Sequence, residues 1–363
     1  MSRSAAALLA LAALSPTLAH SFALPADQAD ALYHSYDDGD LQLRGMAFAA
    51  SKAFGTAWSI NGSAGNEDID NATPDILSIG TPYSDSRTEW SVGTNMLTNN
   101  MLLDVRYQSA SEDDVDNSAL AVELESSVFG DMTRLTLGFG RGRDELARID
   151  DGDFHEYADH RYYRAGLSQA LSQTWTLAAT YSAALDSGYL GNPYRYARIL
   201  GVWVPEQVPT TRTGHALTFA TQHYLFDHAA VHGAYRYYWD TWAIRAHTLE
   251  ASYRQDLAPR WAGEVRYRYY TQSEASFYSD NFTQEYNYYS RDKELSDMSS
   301  HSIGASARLR FLPPNSQRLI EHGDIELSYD YIAFDYSNYT DVRTGAQYAP
   351  GAHVFHINLS VGY

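Results

Sequence analysis

Charged side chains recur at every second position in many short segments of this sequence, and the spacing decides what chemistry they could perform. Alternate residues of a β-strand point to one face, so these charges would share a face opposite an apolar one. That charged face comprises Asp104, Arg106, Glu123, Glu125, Arg134, Arg164, Arg236, Glu250, Arg254, Glu264, Arg266, Arg268, Arg308, Arg310, Glu326 and Asp330. Lining a pore, such side chains could select solutes by charge. Because nine arginines nearly balance seven acids, an internal salt-bridge network is the favoured alternative.

A second polar set is concentrated in the second half of the chain. Asp240, Arg245 and His247 are expected at one rim, and residues 291–294 (Arg-Asp-Lys-Glu) lie in a predicted loop. The aromatic residues near this rim are Tyr237, Tyr238, Trp239 and Trp242. They indicate an aromatic girdle at a membrane interface, and a stacking platform for a sugar or a flavin is the alternative.

Motifs for catalysis or metal binding are weak. His155-Glu-Tyr-Ala-Asp159-His160 is close to a zinc-protease motif, but its second histidine stands at i+5 and the segment is predicted to be a loop. A surface metal site of these two histidines and Asp159 stays open. No nucleophile elbow or triad is visible in the sequence. We therefore predict no catalytic residue, no metal, no cofactor and no enzymatic activity.

Three acidic runs, in residues 67–70, 112–116 and 150–153, could collect Ca²⁺ or Mg²⁺. None has the Asp-x-Asp-x-Asp-Gly spacing of a calcium loop, so a solvated external face is favoured. Divalent bridging to lipopolysaccharide phosphates is a further alternative.

The elements that must position these residues are strands. Fifteen segments alternate between apolar and polar residues, and no helical period competes over a long window. They are 41–50, 56–65, 88–96, 101–109, 119–128, 132–141, 161–171, 174–184, 215–224, 229–239, 244–254, 261–271, 301–311, 324–335 and 353–363. Their connections alternate between short turns and longer polar links, as in outer-membrane barrels. A soluble sandwich is the alternative, but it would have to bury many long strands in one domain.

Parity predicts one more strand at the N-terminal end. Residues 32–36 precede Asp37-Asp-Gly-Asp40, and Asp-Gly is a strong hairpin signal. The expected fold is therefore all-β: a transmembrane, antiparallel, up-and-down β-barrel of about sixteen strands, with fourteen as the alternative. Segment 353–363 closes the barrel against 32–36, which is the weakest strand of the set. Its apolar face ends in Leu359, Val361 and Tyr363, which we interpret as the membrane-insertion signal.

The N-terminus and the composition support export. Arg3, the apolar run 5–14 and the small residues after Pro16 predict a signal peptide over 1–19, or alternatively 1–23, followed by one barrel domain over 24–363. A membrane anchor is the alternative, but the run is far shorter than the ~20 residues that a spanning helix needs. The chain has no Cys and 29 Tyr, and its formal charge of −19 argues against nucleic acid as a partner.

Several longer stretches carry a family resemblance. They are 81–89 (Thr-Pro-Tyr-Ser-Asp-Ser-Arg-Thr-Glu), 192–195, 212–213, 235–247, 266–272, 277–280 and 291–296. Together they resemble the exported proteins of domain-of-unknown-function family 3570. The resemblance implies an outer-membrane barrel without an established activity. Its gene neighbours, a flavin transferase, a thioredoxin-like protein and a small lipoprotein, imply a link to periplasmic redox chemistry. The loops 66–80 and 110–118 are more acidic than that family leads us to expect.

The expected function combines these observations. We predict a protein of the Gram-negative outer membrane, either a porin-like channel or the barrel component of a redox-linked electron-transfer system. The alternatives are a structural or adhesive barrel without an open pore and, least favoured, an outer-membrane hydrolase. The expected partners are outer-membrane lipid and lipopolysaccharide, the barrel-assembly machinery, and a periplasmic lipoprotein or redox protein.

Overall fold

The fold is a closed antiparallel barrel. The computed structural model describes residues 23–74, 83–226, 228–312, 314 and 320–363, so the predicted signal peptide 1–19 lies outside the described residues. The strands are β1 Gln28–Asp37, β2 Leu41–Phe54, β3 Trp58–Asn71, β4 Tyr83–Thr98, β5 Met101–Ser111, β6 Val115–Val128, β7 Thr133–Arg148, β8 Asp151–Ala170, β9 Trp175–Gly188, β10 Tyr196–Ile199, β11 Val202–Pro205, β12 Thr211–Phe226, β13 Ala229–Asp240, β14 Arg245–Ala258, β15 Trp261–Gln272, β16 Met298–Leu312, β17 His322–Tyr336 and β18 Gly351–Gly362. Among these residues no helix has the length and apolar character needed to cross a membrane.

Sixteen of these strands form the barrel wall, and β10 and β11 form a separate hairpin in the connection between β9 and β12. Each wall strand pairs with its neighbours in chain order, and β18 pairs with β1. The sixteen-strand prediction is therefore confirmed, and the fourteen-strand alternative is wrong. We call the end with the longer connections external and the opposite end periplasmic, as in barrels of this kind.

The seam between β1 and β18 is longer than the sequence predicted. Ten residue pairs run from Gln28↔Gly362 to Asp37↔His353. Polar contacts hold the first residues of β1, where Gln28 Nε2 donates to Asp30 Oδ1 and to Ser360 Oγ, both at 2.8 Å. At the end of the chain, Tyr363 Oη donates to the carbonyl of Ser51 at 3.1 Å, which reaches past β1 to β2. The insertion signal of Leu359, Val361 and Tyr363 stays a prediction.

Strand β8 corrects one prediction. The sequence predicted strands at 132–141 and 161–171 with a polar loop between them, but 142–148 continue β7 and 151–160 begin β8. Pairing between the two strands keeps this polar stretch extended. His155 and His160 are five residues apart on one strand, so they point to opposite faces. They cannot share a metal ion, and the surface site of His155, Asp159 and His160 is wrong.

The outer face carries apolar side chains between two levels of aromatic residues. At the external level, four histidines are each hydrogen-bonded through Nδ1 to a tyrosine hydroxyl of the preceding strand; the pairs are Tyr181–His215 (2.8 Å), Tyr235–His247 (2.7 Å), Tyr267–His301 (2.8 Å) and Tyr329–His353 (2.7 Å). At the periplasmic level lie the exposed rings of Trp58, Trp175, Trp261, Phe311 and Tyr363. His353 of β18 and Tyr363, directly after the end of β18, stand ten residues apart. At about 3.4 Å per residue and a tilt of about 40°, this separation is about 26 Å, close to the ~25 Å apolar band of such barrels.

Candidate lumen and external cap

The face that the sequence assigned to the lumen carries a series of ion pairs. The pairs are Arg106–Asp104 (3.8 Å), Arg134–Glu125 (3.6 Å), Arg164–Glu123 (3.6 Å), Arg268–Glu250 (3.2 Å), Arg308–Glu326 (2.6 Å), Arg310–Asp324 (3.1 Å) and Arg266–Asp330. Each pair joins residues on the same strand or on strands at most two apart. The pairs therefore run along the wall and do not cross the lumen.

Two of these ion pairs pass over a glycine on the intervening strand. Arg266 of β15 donates through Nε to Asp330 Oδ1 of β17 at 2.7 Å, and both side chains cross Gly304 of β16. A Cβ atom at that glycine would overlap the Asp330 carboxylate and come within 2.9 Å of Arg266 Nε. Arg164 and Glu123 pass over Gly138 of β7 in the same way. The missing side chains create the space that these pairs occupy.

Several charges of the inner wall reach water despite the pairing. The side chains of Arg268, Glu250, Arg310 and Arg106 are 47%, 45%, 44% and 42% exposed. Arg236 is also exposed and has no ion pair within the described part of the chain. Glu264 lies on the same face, opposite Arg254 in the register. The network lines the wall and leaves these five side chains in contact with water, whereas Arg164 and Arg134 are largely buried.

Three external connections fold together into what we call the cap, formed by residues 189–210, 273–297 and 337–350. An apolar cluster joins the cap to the external rim; its buried members are Trp242, Ile244, Ala275, Phe277, Tyr278 and Leu295. Backbone hydrogen bonds link the first two segments, with Gln207 N donating to Tyr289 O at 3.0 Å and Tyr289 N donating back at 2.8 Å. The predicted loop at 291–294 is part of this folded cap, with Arg291, Asp292 and Lys293 buried and Glu294 half-buried.

Arg291 links all three segments of the cap. The residue is 2% exposed. Its guanidinium pairs with Asp280 at 2.7 Å, donates to Tyr339 Oη at 3.2 Å, and donates to the carbonyl of Thr340. It lies 4.3 Å from the centre of the Tyr339 ring and 5.5 Å from that of Trp203. One buried cation thus joins the 273–297 segment to the other two.

A second buried charged group lies next to Arg291. Arg195 forms an ion pair with Asp292, and Ser290 Oγ donates to Glu206 Oε2 at 2.7 Å. Loss of hydration in this enclosed position raises the pKa of Glu206 to about 7, against the opposing charge of Arg195. These contacts stabilise the cap, because they join Arg195 and Glu206 of the 189–210 segment to Asp292 and Ser290 of the 273–297 segment.

The cap and the wall enclose a cavity of about 690 Å³. The wall contributes Arg212, Arg236 and Arg268 to its lining, and the cap contributes Asp292, Lys293 and Glu294. Gln272 of β15 positions the cap segment, since its Nε2 donates at 2.8 Å to the carbonyls of Glu294 and Ser296. The short 3₁₀ helix Lys293–Leu295 is thereby held against the inner wall.

The wall side of the cavity repeats one local motif. Arg236-Tyr-Tyr238 in β13 and Arg268-Tyr-Tyr270 in β15 each place an arginine beside the tyrosine two residues on, at 5.8 and 5.5 Å from the ring centre. Arg212 is bound to the buried carboxylate of Asp240 at 2.6 Å. Arg236 and Arg268 are therefore the accessible cations that a solute would meet below the cap.

Other predicted site residues lie apart from this cavity wall or have different roles. Tyr237 and Trp239 stack on the outer face, 5.4 Å apart, with His247 beside Tyr237, so the girdle prediction is confirmed for them. Tyr238 faces the cavity and Trp242 is buried under the cap, so the girdle prediction is wrong for both. The alternation of β13 and the tight turn after it decide these directions.

Two features escaped the sequence reasoning. His160 bridges two carboxylates on the inner face, Asp186 at 2.8 Å and Asp144 at 3.0 Å. Asp85, Glu112 and Asp114 place one oxygen each within 4.8 Å of the others, and Arg87 lies 3.6 Å from Glu112. This is an acidic cluster beside a cation, and we assign no metal to it. The strand alternation could have placed His160 inward, but the convergence of 85 with 112–114 depends on tertiary structure.

Comparison with solved structures shows the fold. The structure titled "Bacterial polysaccharide outer membrane secretin" matches with a TM-score of 0.52 at 10% identity, over 93% of this chain and 98% of that one. OmpT, an outer membrane protein of Vibrio cholerae, matches with a TM-score of 0.48 at 9% identity, over 94% and 99%. OccK1 (OpdK) of Pseudomonas aeruginosa matches with a TM-score of 0.44 at 9% identity, over 93% and 98%. The first likeness shows that this chain has the fold of an outer-membrane barrel.

Comparison with known protein families gives a match over the segment that contains most of the cap. No curated protein matches the chain. A family model matches residues 148–323, which include Arg212, Arg236, Arg268 and Arg291. The matched family is described as "Protein of unknown function (DUF3570)", so the family resemblance found in the sequence is confirmed over these residues.

Proposed function

We propose that the protein is a channel of the Gram-negative outer membrane for small polar solutes, with an external mouth narrowed by the cap. The observation that carries this proposal is the hydrated inner wall, where Arg106, Arg268 and Arg310 are each more than two-fifths exposed inside a closed barrel. A wall of sixteen strands is wide enough for an aqueous lumen. The apolar outer face and its two aromatic levels support the membrane location.

The accessible arginines of β13 and β15 would influence which ions pass. Arg236 has no ion pair within the described residues, and the pair between Arg268 and Glu250 is half exposed. Arg266, which the sequence also placed in the lumen lining, is held by Asp330 on the wall. The selectivity determinants are therefore Arg236 and Arg268.

Reversing both charges tests the proposal. The double variant Arg236→Glu/Arg268→Glu is expected to raise the ratio of cation to anion permeability at least about twofold, since wall charges filter ions by sign. The measurement is the reversal potential of the refolded protein in a planar bilayer under a salt gradient.

The matched control makes the same charge change outside the lumen. Arg44 and Arg245 are exposed on the outer side of β2 and β14. The variant Arg44→Glu/Arg245→Glu should keep the wild-type reversal potential. Equal shifts in both double variants, or no shift in the first, would contradict a lumen lined by Arg236 and Arg268.

The cap favours a second candidate function. Its buried Arg291 and its Arg195–Asp292 pair would hold the external mouth shut if the cap does not open. The protein would then be a barrel component facing the periplasm, where a lipoprotein or redox partner could bind. Absence of current from folded protein, together with retention of a periplasmic protein in a pull-down, would favour this candidate. Neither candidate includes a catalytic step.

A further inference from the structure

Two arginines face each other on the outside of the barrel. Arg141 of β7 and Arg161 of β8 are direct partners in the register, and both are exposed. Their strands alternate regularly here. Phe139 and Tyr163, two residues nearer the periplasm, are each 42% exposed, and their ring centroids lie 5.4 Å apart on the outer face. The arginines therefore point outward, directly above an aromatic pair.

The arginine pair has no counter-charge within ion-pair distance among the described residues. Within the described part of the chain, neither Arg141 nor Arg161 takes part in an ion pair. The nearest acid in the register, Asp159, stands opposite Arg143, and the guanidinium of Arg143 lies 4.6 Å from the centre of the Tyr157 ring. Like charges directly opposite each other on neighbouring strands are destabilising. An anion between the two guanidinium groups would remove that repulsion.

The height of the pair on the barrel indicates where such an anion would come from. Tyr163 of β8 and His215 of β12 both pair with Ala183 of β9, so Tyr163 lies at the height of the external histidines. Arg161 pairs with Leu185, the next outward-facing residue of β9 toward the external end. Arg141 is flanked on its other side by Leu120 of β6. The arginines thus lie at the external edge of the apolar band, at the level where lipid headgroups meet water.

We propose that this surface binds the phosphate groups of lipopolysaccharide in the outer leaflet. Phosphate would lie between Arg141 and Arg161, since guanidinium groups bind phosphate oxygens in bidentate, charge-assisted hydrogen bonds. Acyl chains would lie along Leu120 and Leu185, which flank the arginines at the same height, and along Phe139 below them. The inference rests on the proposed outer-membrane location and is independent of channel activity.

The test measures lipopolysaccharide that stays bound to the full-length protein purified from outer membranes in mild detergent. Native mass spectrometry of the double variant Arg141→Gln/Arg161→Gln should show at least a fivefold loss of bound lipopolysaccharide relative to wild type. The control is Arg44→Gln, an exposed outer-face arginine that stands opposite Asp68 in the register, and it should retain the wild-type amount. Equal retention in all three proteins, or equal loss in both variants, would overturn the proposal.

A second arm identifies the group that is bound. Refolded wild-type protein should bind vesicles containing lipid A at least fivefold better than vesicles containing dephosphorylated lipid A, and the double variant should lose this preference. Competition by millimolar inorganic phosphate that abolishes the preference would assign the site to free anions and overturn the glycolipid assignment. Bilayer conductance of the double variant should match wild type, so a failure here is distinguishable from a failure of the channel proposal.

Discussion

Replacing Arg291 with methionine is expected to destabilise the cap by about 3 kcal/mol while the barrel wall stays closed, because breaking a buried ion pair costs in this range. The substitution removes the pair with Asp280 and leaves the Thr340 carbonyl and the Tyr339 hydroxyl without their donor. It also removes the cation from the faces of Tyr339 and Trp203. All of these contacts lie in the cap, so the effect should be local.

The measurement is limited proteolysis of the folded protein, followed at the 273–297 segment. A loss of about 3 kcal/mol corresponds to a more than hundredfold rise in the open population, and cleavage should accelerate at least tenfold. The control is Arg245→Met, which removes an exposed arginine from the same end of the barrel. If both variants, Arg291→Met and Arg245→Met, are cleaved at the wild-type rate, the stability of the cap does not depend on the buried cation.

Replacing Gly304 with alanine is expected to lower the free energy of unfolding of the whole barrel by about 3 kcal/mol. The added methyl group would overlap the Asp330 carboxylate and approach Arg266 Nε, so it must displace their ion pair. The expected cost combines overpacking, about 1–3 kcal/mol, with the loss of charge-assisted hydrogen bonds, about 1.5–3 kcal/mol, and relaxation of the side chains would recover part of it. Equilibrium unfolding in urea from lipid vesicles measures the change.

Gly142→Ala is the matched control for this substitution. Gly142 also lies on a wall strand, and a Cβ atom there would meet its nearest neighbours at 3.4 Å, which is ordinary van der Waals contact. Its unfolding free energy should stay within about 1 kcal/mol of wild type. A Gly304→Ala protein as stable as Gly142→Ala would show that the Arg266–Asp330 pair does not need the space over Gly304.

The wall was predictable because it obeys local rules. Alternation with period two assigned Asp104 and Arg106 to the inner face, and this assignment depends only on neighbours in sequence. The parity of short and long connections, with the Asp-Gly turn before residue 40, was enough to predict sixteen strands. The prediction failed at 142–160, where polar residues on both faces concealed two long paired strands.

The site was less predictable because its contacts are remote in sequence. Arg266 meets Asp330 64 positions later, and Arg291 meets Tyr339 48 positions later. Strand register could have suggested the first pair, since the two residues lie on one face two strands apart. No periodicity could have suggested the second, because the cap consists of irregular segments. The sequence assigned both Arg266 and Arg268 to the lumen lining. In the structure Asp330 holds Arg266 against the wall, whereas Arg268 is exposed to the lumen.

The most direct test of the channel is a planar-bilayer recording of the refolded wild-type protein beside the Arg291→Met variant. We expect stepwise ionic current from wild type and a higher conductance or open probability from the variant, since the cap narrows the external mouth. Folded protein that inserts into the bilayer but conducts no current, in both forms and at every applied voltage, would contradict the account.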